Sequence, residues 1–165
     1  MMLAAAAGAG CGGATYRQVH PREPIAATDR GLRVEVQRIF LNDDTITDGV
    51  GANSALVVEL AITNTGPAPY TLPASALWCL MALDARRPEQ TRLLPPSVNG
   101  DGAFSGKLPE DRDLRPIAVA PGQTRAFWVL FAGYSFPDSD VPRRITLTLP
   151  DAEGRPLEIV LADPG

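Results

Sequence analysis

The stretch RRITLTLPDAEGRPLEIVLAD, residues 143–163, decides the fold class. Ile145, Leu147 and Leu149 are separated by single polar residues, and Leu157, Ile159 and Leu161 repeat the same spacing. A period of two sends alternate side chains to opposite faces of a strand. Residues 151–156 between the two runs carry turn chemistry, with Gly154 and Pro156. The segment reads as a hairpin in which the two apolar triplets pair and share one buried face.

Working outward, the same pattern recurs. In GLRVEVQRIFL (31–41), Leu32, Val34 and Val36 oppose Arg33, Glu35 and Gln37, and the alternation slips at Arg38–Ile39, as at a bulge. In ALVVELAITNTG (55–66), Leu56, Val58, Leu60 and Ile62 point inward and Glu59 and Thr63 outward, and Asn64–Gly66 and Pro67 end the strand. PYTLPASALWCLMALDA (69–85), a short TRLL (91–94) and IAVAPGQTRAFWVLFAG (117–133), read as a strand pair around Pro121–Gly122, complete the set. Residues 95–116 read as irregular. Seven or eight strands and no amphipathic helix define an all-β chain, most simply an immunoglobulin-like antiparallel β-sandwich over residues 31–165.

The chain opens with MMLAAAAGAG (1–10), then Cys11, Gly12 and Gly13. Small apolar residues before a cysteine resemble a bacterial lipobox, in which the thiolate accepts a diacylglyceryl group. Two departures stand out: Gly8 where a leucine is usual, and no charged n-region. The expectation is a truncated lipoprotein signal peptide over 1–10, a lipidated Cys11 and a flexible tether over 11–30. The plainer alternative is a small-residue tail with an incidental cysteine. Cys79 sits in the apolar run ALWCLMAL and reads as a small buried hydrophobe, with a Cys11–Cys79 disulfide as the alternative. His20, the single histidine, falls in the tether and reads as a surface residue.

Composition sets further bounds. The net charge is −4 and the fourteen arginines and Lys107 are scattered among nineteen acids. No basic surface is indicated, so nucleic acid is not an expected partner. The sequence holds no Cys-x-x-Cys pair, HExxH, G-x-S-x-G or P-loop.

LVVELAITNTGPAPYTL and the later IAVAPGQTRAFWVLFAGYSFPDSD, with the closing RRITLTL, resemble the telokin-like immunoglobulin-type domains of uncharacterised bacterial lipoproteins. The matching positions are Asn64, Thr65 and Gly66, and Pro121, Gly122, Gln123 and Thr124, within roughly residues 31–162. The resemblance implies an extracytoplasmic location and no established catalytic site. It agrees with the lipobox at Cys11, and Gly12 in place of an aspartate points to the outer membrane, facing the periplasm.

Candidate sites follow from excess apolar surface and clustered acids. Residues 76–83 and 125–132 are apolar on both faces, where a sandwich strand needs one. Either the 84–120 segment covers the extra faces, or they form a partner surface featuring Trp78 and Trp128. The 84–120 segment is longer than a sandwich needs and is either functional or disordered, with NGDG (99–102) and Phe104 as the candidate recognition tip. Asp43, Asp44 and Asp48, beside Asn42, are the candidate calcium ligands, although no EF-hand loop is present and a solvated turn explains them as well. The acids at 110–113 and at 138 and 140 read as solvated turns. The function expected is a lipid-anchored binding or structural module without catalytic activity, docking an envelope protein and needing no cofactor. The alternatives are a calcium-dependent binding module and a hydrolase built on paired carboxylates.

Overall fold

Apolar residues at every second position build two sheets that close on one another. The computed structural model describes residues 16–20, 24–42, 55–82, 91–109, 113–132 and 144–162. These hold twelve strands: β1 (Tyr16–His20), β2 (Ile25–Asp29), β3 (Leu32–Asn42), β4 (Ala55–Asn64), β5 (Tyr70–Leu72), β6 (Trp78–Ala82), β7 (Thr91–Leu94), β8 (Pro96–Asp101), β9 (Ile117–Val119), β10 (Thr124–Ala132), β11 (Arg144–Pro150) and β12 (Pro156–Ala162). A six-stranded sheet runs β1-β3-β4-β10-β8, with β2 also on β3; a four-stranded sheet runs β12-β11-β6-β7; β5 and β9 pair separately. All pairings are antiparallel. The core between the sheets takes Val36, Leu60 and Phe127 from the first, Met81, Leu147 and Ile159 from the second, and Leu72 and Ile117 from the third.

The antiparallel all-β sandwich is the architecture expected, with more strands than seven or eight. The closing hairpin has the register read from sequence: Ile145 faces Leu161, Leu147 faces Ile159 and Leu149 faces Leu157. The slip in β3 is a bulge between Val36 and Arg38, so that Val36 pairs with Leu60 and Arg38 with Glu59. The extra residue, Gln37, keeps Ile39 and Leu41 on the buried face with Val34 and Val36.

Three expectations are corrected. Residues 16–20 and 25–29, assigned to a flexible tether, are strands: β2 pairs with Leu32–Val36 and β1 with the distal part of β3, both along one edge. The sandwich therefore begins before residue 31. The irregular 95–116 stretch contains β8, paired to β10. Finally, β9 pairs with β5 rather than β10. The Pro121–Gly122 turn has Gly122 at φ 73° and a Gln123 N–H to Ala120 C=O bond of 3.0 Å. That is the pattern of a type II turn, which splays flanking strands rather than continuing them as a hairpin.

Asn64, at the end of β4, explains where that turn goes. Its buried side-chain amide donates to Ala68 C=O at 2.8 Å and Val119 C=O at 3.0 Å, and accepts from the Gly66 N–H at 3.0 Å. Its backbone C=O accepts from Gly122 at 2.7 Å and its N–H donates to Gln123 at 3.0 Å. Thr65 and Gly66 N–H groups both donate to Gly31 C=O, at 2.7 and 3.0 Å, which adds the β2–β3 turn to the cluster.

A second tie joins β5 to the β11–β12 turn. Tyr70 Oη donates to Pro150 C=O at 2.6 Å. Burial, helped by the Asp151 charge, pushes the Tyr70 phenol up to about 12, so it stays a donor. Asp151 Oδ1 accepts from Glu153 and Arg155 N–H, each at 2.8 Å, and Oδ2 lies 3.5 Å from Arg30 Nη1. Burial works to raise this carboxyl. The Arg155 and Glu153 N–H groups, with the Arg30 and Arg155 guanidiniums, outweigh it and hold the group below the usual carboxylate range.

Two measurements check these ties. Asn64→Ala should lower unfolding free energy by about 2–4 kcal/mol, since two carbonyls and one N–H lose a buried partner. The readout is a lower urea midpoint at unchanged slope, and a change under about 1 kcal/mol would mean the turns hold without it. Asp151 has a folded pKa below its unfolded value, so its stabilisation is complete above the unfolded pKa, about 3.9, and is lost as pH falls through the folded one. Asp151→Asn should therefore melt lower than the parent at pH 7, and the two should converge toward pH 2.

Candidate functional site

The outer faces of the two large sheets differ, and the difference is set by residues 102–109. β4 and β10 are adjacent in the middle of the six-stranded sheet, and their outward residues include Val57, Glu59, Trp128 and Leu130. All four are buried. The 102–109 segment lies over them: Phe104 meets Trp128 edge-on with centroids 5.1 Å apart and Phe40 at 5.6 Å, and Leu108 packs on the same small core. Glu59 fastens this roof. Its carboxylate takes both Nε and Nη2 of Arg38, the latter at 2.9 Å, and accepts the backbone N–H of Phe104. The Arg38 guanidinium also stands 5.4 Å over the Phe40 ring.

Gly100 makes room for the tryptophan. It is the register partner of Trp128 on β8, and a Cβ built there would fall 2.5 Å from the indole. NGDG is thus not a recognition tip: Asn99, Gly100 and Asp101 are strand residues. Asn99 also closes the free edge of β8, donating to Arg115 C=O at 2.9 Å and accepting Arg115 N–H at 2.7 Å. Beside the roof lies a cleft of about 530 Å³ lined by Gln18, Gln37, Arg38, Glu59 and Gly102. Its one carboxylate among the described residues, Glu59, is already committed to Arg38 and Phe104.

The four-stranded sheet has no such roof among the described residues. Cys79 and Met81 of β6 enter the main core, while Trp78 and Leu80 face out at 41% exposure each. Leu93 on β7 is 54% exposed and Val160 on β12 is 42% exposed. Register joins them: Leu93, Leu80, Thr146 and Val160 form one row across the sheet, and Trp78, Thr148 and Glu158 the next.

Of the three aromatic partner candidates, only Trp78 is presented to solvent. Trp128 and Phe104, each 6% exposed, are corrected to parts of the roofed core. Leu80, Leu93 and Val160 were missed as a set, because their alignment depends on strand order rather than on any local run. Cys79 is a free, fully buried thiol, and burial pushes its pKa well up, which keeps it protonated and unreactive. His20 lies on β1. Cys11 and the calcium candidates Asp43, Asp44 and Asp48 lie outside the described residues. Among the described residues, no group of three or more His, Cys, Asp or Glu is placed to hold a metal.

Fold and site together define an antiparallel β-sandwich with one face roofed and, among the described residues, the other bare. The chain is similar to a functionally unknown protein from Listeria monocytogenes EGD-e, at 11% identity and a TM-score of 0.55, over 92% of this chain and 89% of that one. That likeness extends to the fold. An uncharacterised β-sandwich protein from Clostridium difficile 630 aligns at 10% identity and a TM-score of 0.44, over 83% of this chain and 89% of that one. No family profile and no curated protein matches the chain.

Lys107, the single lysine, is exposed on the roof and reports its opening. Glu59→Ala strips the partner from Arg38 and from the Phe104 N–H, and should cost about 2 kcal/mol. Cleavage after Lys107 by a lysine-specific protease should accelerate at least about tenfold, in keeping with that cost. An unchanged rate would show that the aromatic packing alone holds the segment.

Proposed function

We propose that this chain is a non-enzymatic β-sandwich module of the bacterial envelope, anchored by lipid at Cys11, that docks a protein partner through the outer face of its four-stranded sheet. The observation that carries the docking role is the contrast between faces. The chain covers Trp128 with its own residues 102–109, and leaves Trp78, Leu80, Leu93 and Val160 in water. Burying such side chains is worth about 1.5–3 kcal/mol each, so a contiguous exposed set favours a partner. The anchor rests on sequence: the small residues before Cys11, and the resemblance of residues 31–162 to telokin-like domains of bacterial lipoproteins. Outer-membrane attachment facing the periplasm follows from Gly12 after that cysteine.

The test is photo-crosslinking in the native host. A photoreactive residue at Leu93 should give a discrete adduct, and the same residue at Ser105, on the roofed side, should not. No adduct at Leu93 beyond that control would overturn the docking role. The N-terminal mass from the same preparation should show loss of residues 1–10 and acyl chains on Cys11; an unprocessed, unlipidated N-terminus would overturn the anchor.

A further inference from the structure

We infer that the chain binds a phosphomonoester in a cleft between β8, the 102–109 segment and Arg115, on the roofed side of the sandwich. The site is apart from the bare face and does not rest on the docking role, which the Leu93 crosslink tests separately. The cleft measures about 540 Å³, and its walls include Asn99, Gly100, Asp101, Lys107, Arg115 and Trp128. Three donors line it without acceptors.

The first is the indole N–H of Trp128. The residue is 6% exposed, and its N–H makes no hydrogen bond among the described residues. The nitrogen is nevertheless not sealed in. Its edge of the ring lies against Gly100, where a Cβ would come within 2.7 Å of Nε1, and Gly100 belongs to the cleft wall. A nearly buried donor that opens into a cleft is completed by an acceptor placed there.

The other two donors are cations. Lys107 and Arg115 are both exposed, and neither side chain has an ion-pair or hydrogen-bond partner among the described residues. Arg115 stands on a fixed frame, because the Asn99 side chain holds both its backbone N–H and its C=O. β8 carries that asparagine next to Gly100, so one strand places the guanidinium and seats the indole. Such preorganisation lowers the cost of binding. Lys107 follows Gly106, whose φ of 83° turns the segment. The one carboxylate among the described lining residues, Asp101, is engaged by Arg125 through Nε at 3.2 Å and Nη2 at 2.7 Å, which leaves both cations unneutralised.

Two positive charges and a neutral donor call for an anion of charge near −2 with several acceptor oxygens. A carboxylate brings one charge and two oxygens, and a phosphodiester brings one charge. A phosphomonoester carries about −1.5 to −2 at pH 7 and three strong acceptor oxygens, one for each donor. Arginine and lysine are the usual side chains for that group. The volume falls within the ~300–1,000 Å³ of small-molecule sites, so the organic part of the ester fits as well. The same group comes free in solution or at the head of a lipid, and the test separates the two.

The test uses the full chain carrying Cys11→Ser and Trp78→Phe. Trp128 is then the only tryptophan, since the chain has two. Glycerol 3-phosphate at low salt should shift its fluorescence and give saturable heat by calorimetry, with a dissociation constant on the order of 0.1–1 mM. Arg115→Gln and Lys107→Gln, both on the surface, should each weaken binding about tenfold. Arg155→Gln, at the β11–β12 turn, should leave it unchanged. Acetate should bind at least about tenfold more weakly, as one charge and one oxygen fewer imply. Circular dichroism confirms folding of each variant. A second arm replaces the soluble ester with phosphatidylcholine vesicles containing phosphatidic acid. Binding of the soluble ester supports a free ligand. Binding to these vesicles alone, lost in Arg115→Gln, supports a lipid headgroup. No response in either arm overturns the inference, as does binding indifferent to both Arg115→Gln and Lys107→Gln, or acetate that binds as tightly.

Discussion

The side chain of Asn64 is the constraint on which the end of this sandwich depends. A primary amide offers donors and an acceptor from one planar group, and here it meets Ala68, Val119 and Gly66 together. Its own backbone joins the 122–123 turn. Two chain passages, 64–68 and 119–123, thus converge on one residue that is 1% exposed, and Gly31 is tied to the same cluster through Thr65 and Gly66. A sheet edge would otherwise leave these peptide groups to water, or unpaired inside the core, and the second alternative costs far more than a surface bond gains. β9 is drawn to β5, and away from β10, because Val119 is held at this point.

A different economy governs the outer faces. On the six-stranded sheet a carboxylate sits among aromatic rings, which is costly unless its oxygens are filled. Glu59 meets that condition by clamping Arg38 and the Phe104 backbone, so one polar group both tolerates and secures the apolar cover. On the four-stranded sheet the central outward positions of β11 are Thr146 and Thr148, which bridge the apolar side chains of β6 and β12 without covering them. The two tryptophans have similar sequence surroundings and opposite fates for this reason.

Much of the fold was legible because the central strands are half-buried and regular. The register of β11 and β12 follows from alternation across one short turn, and the β3 bulge from a single break in parity. β1 and β2 were not legible: β2 is largely exposed and lacks alternation, and the turn joining it to β3 places Arg30 at φ 39°, where glycine or asparagine is the usual signal. The apolar double-faced runs at 76–83 and 125–132 were legible as a problem, but not its solution. Which run would be roofed depends on where residues 102–109 land, and that is fixed by Glu59 in a strand forty-five positions away from Phe104. Asn64–Gly66 was legible as the end of β4, with no signal of the segments that Asn64 would gather.

The roof over the six-stranded sheet also sets a valence. A β-sandwich with two bare apolar faces could stack on copies of itself in both directions, and a heterologous contact of that kind does not close. Here one face is sealed by the chain's own residues, and the edge at β8 is blunted by Asn99 and Arg115. A layer added on the four-stranded sheet, which has no such cover among the described residues, would find no second apolar face beyond it. The same segment that buries Trp128 thus withholds a second apolar face from stacking.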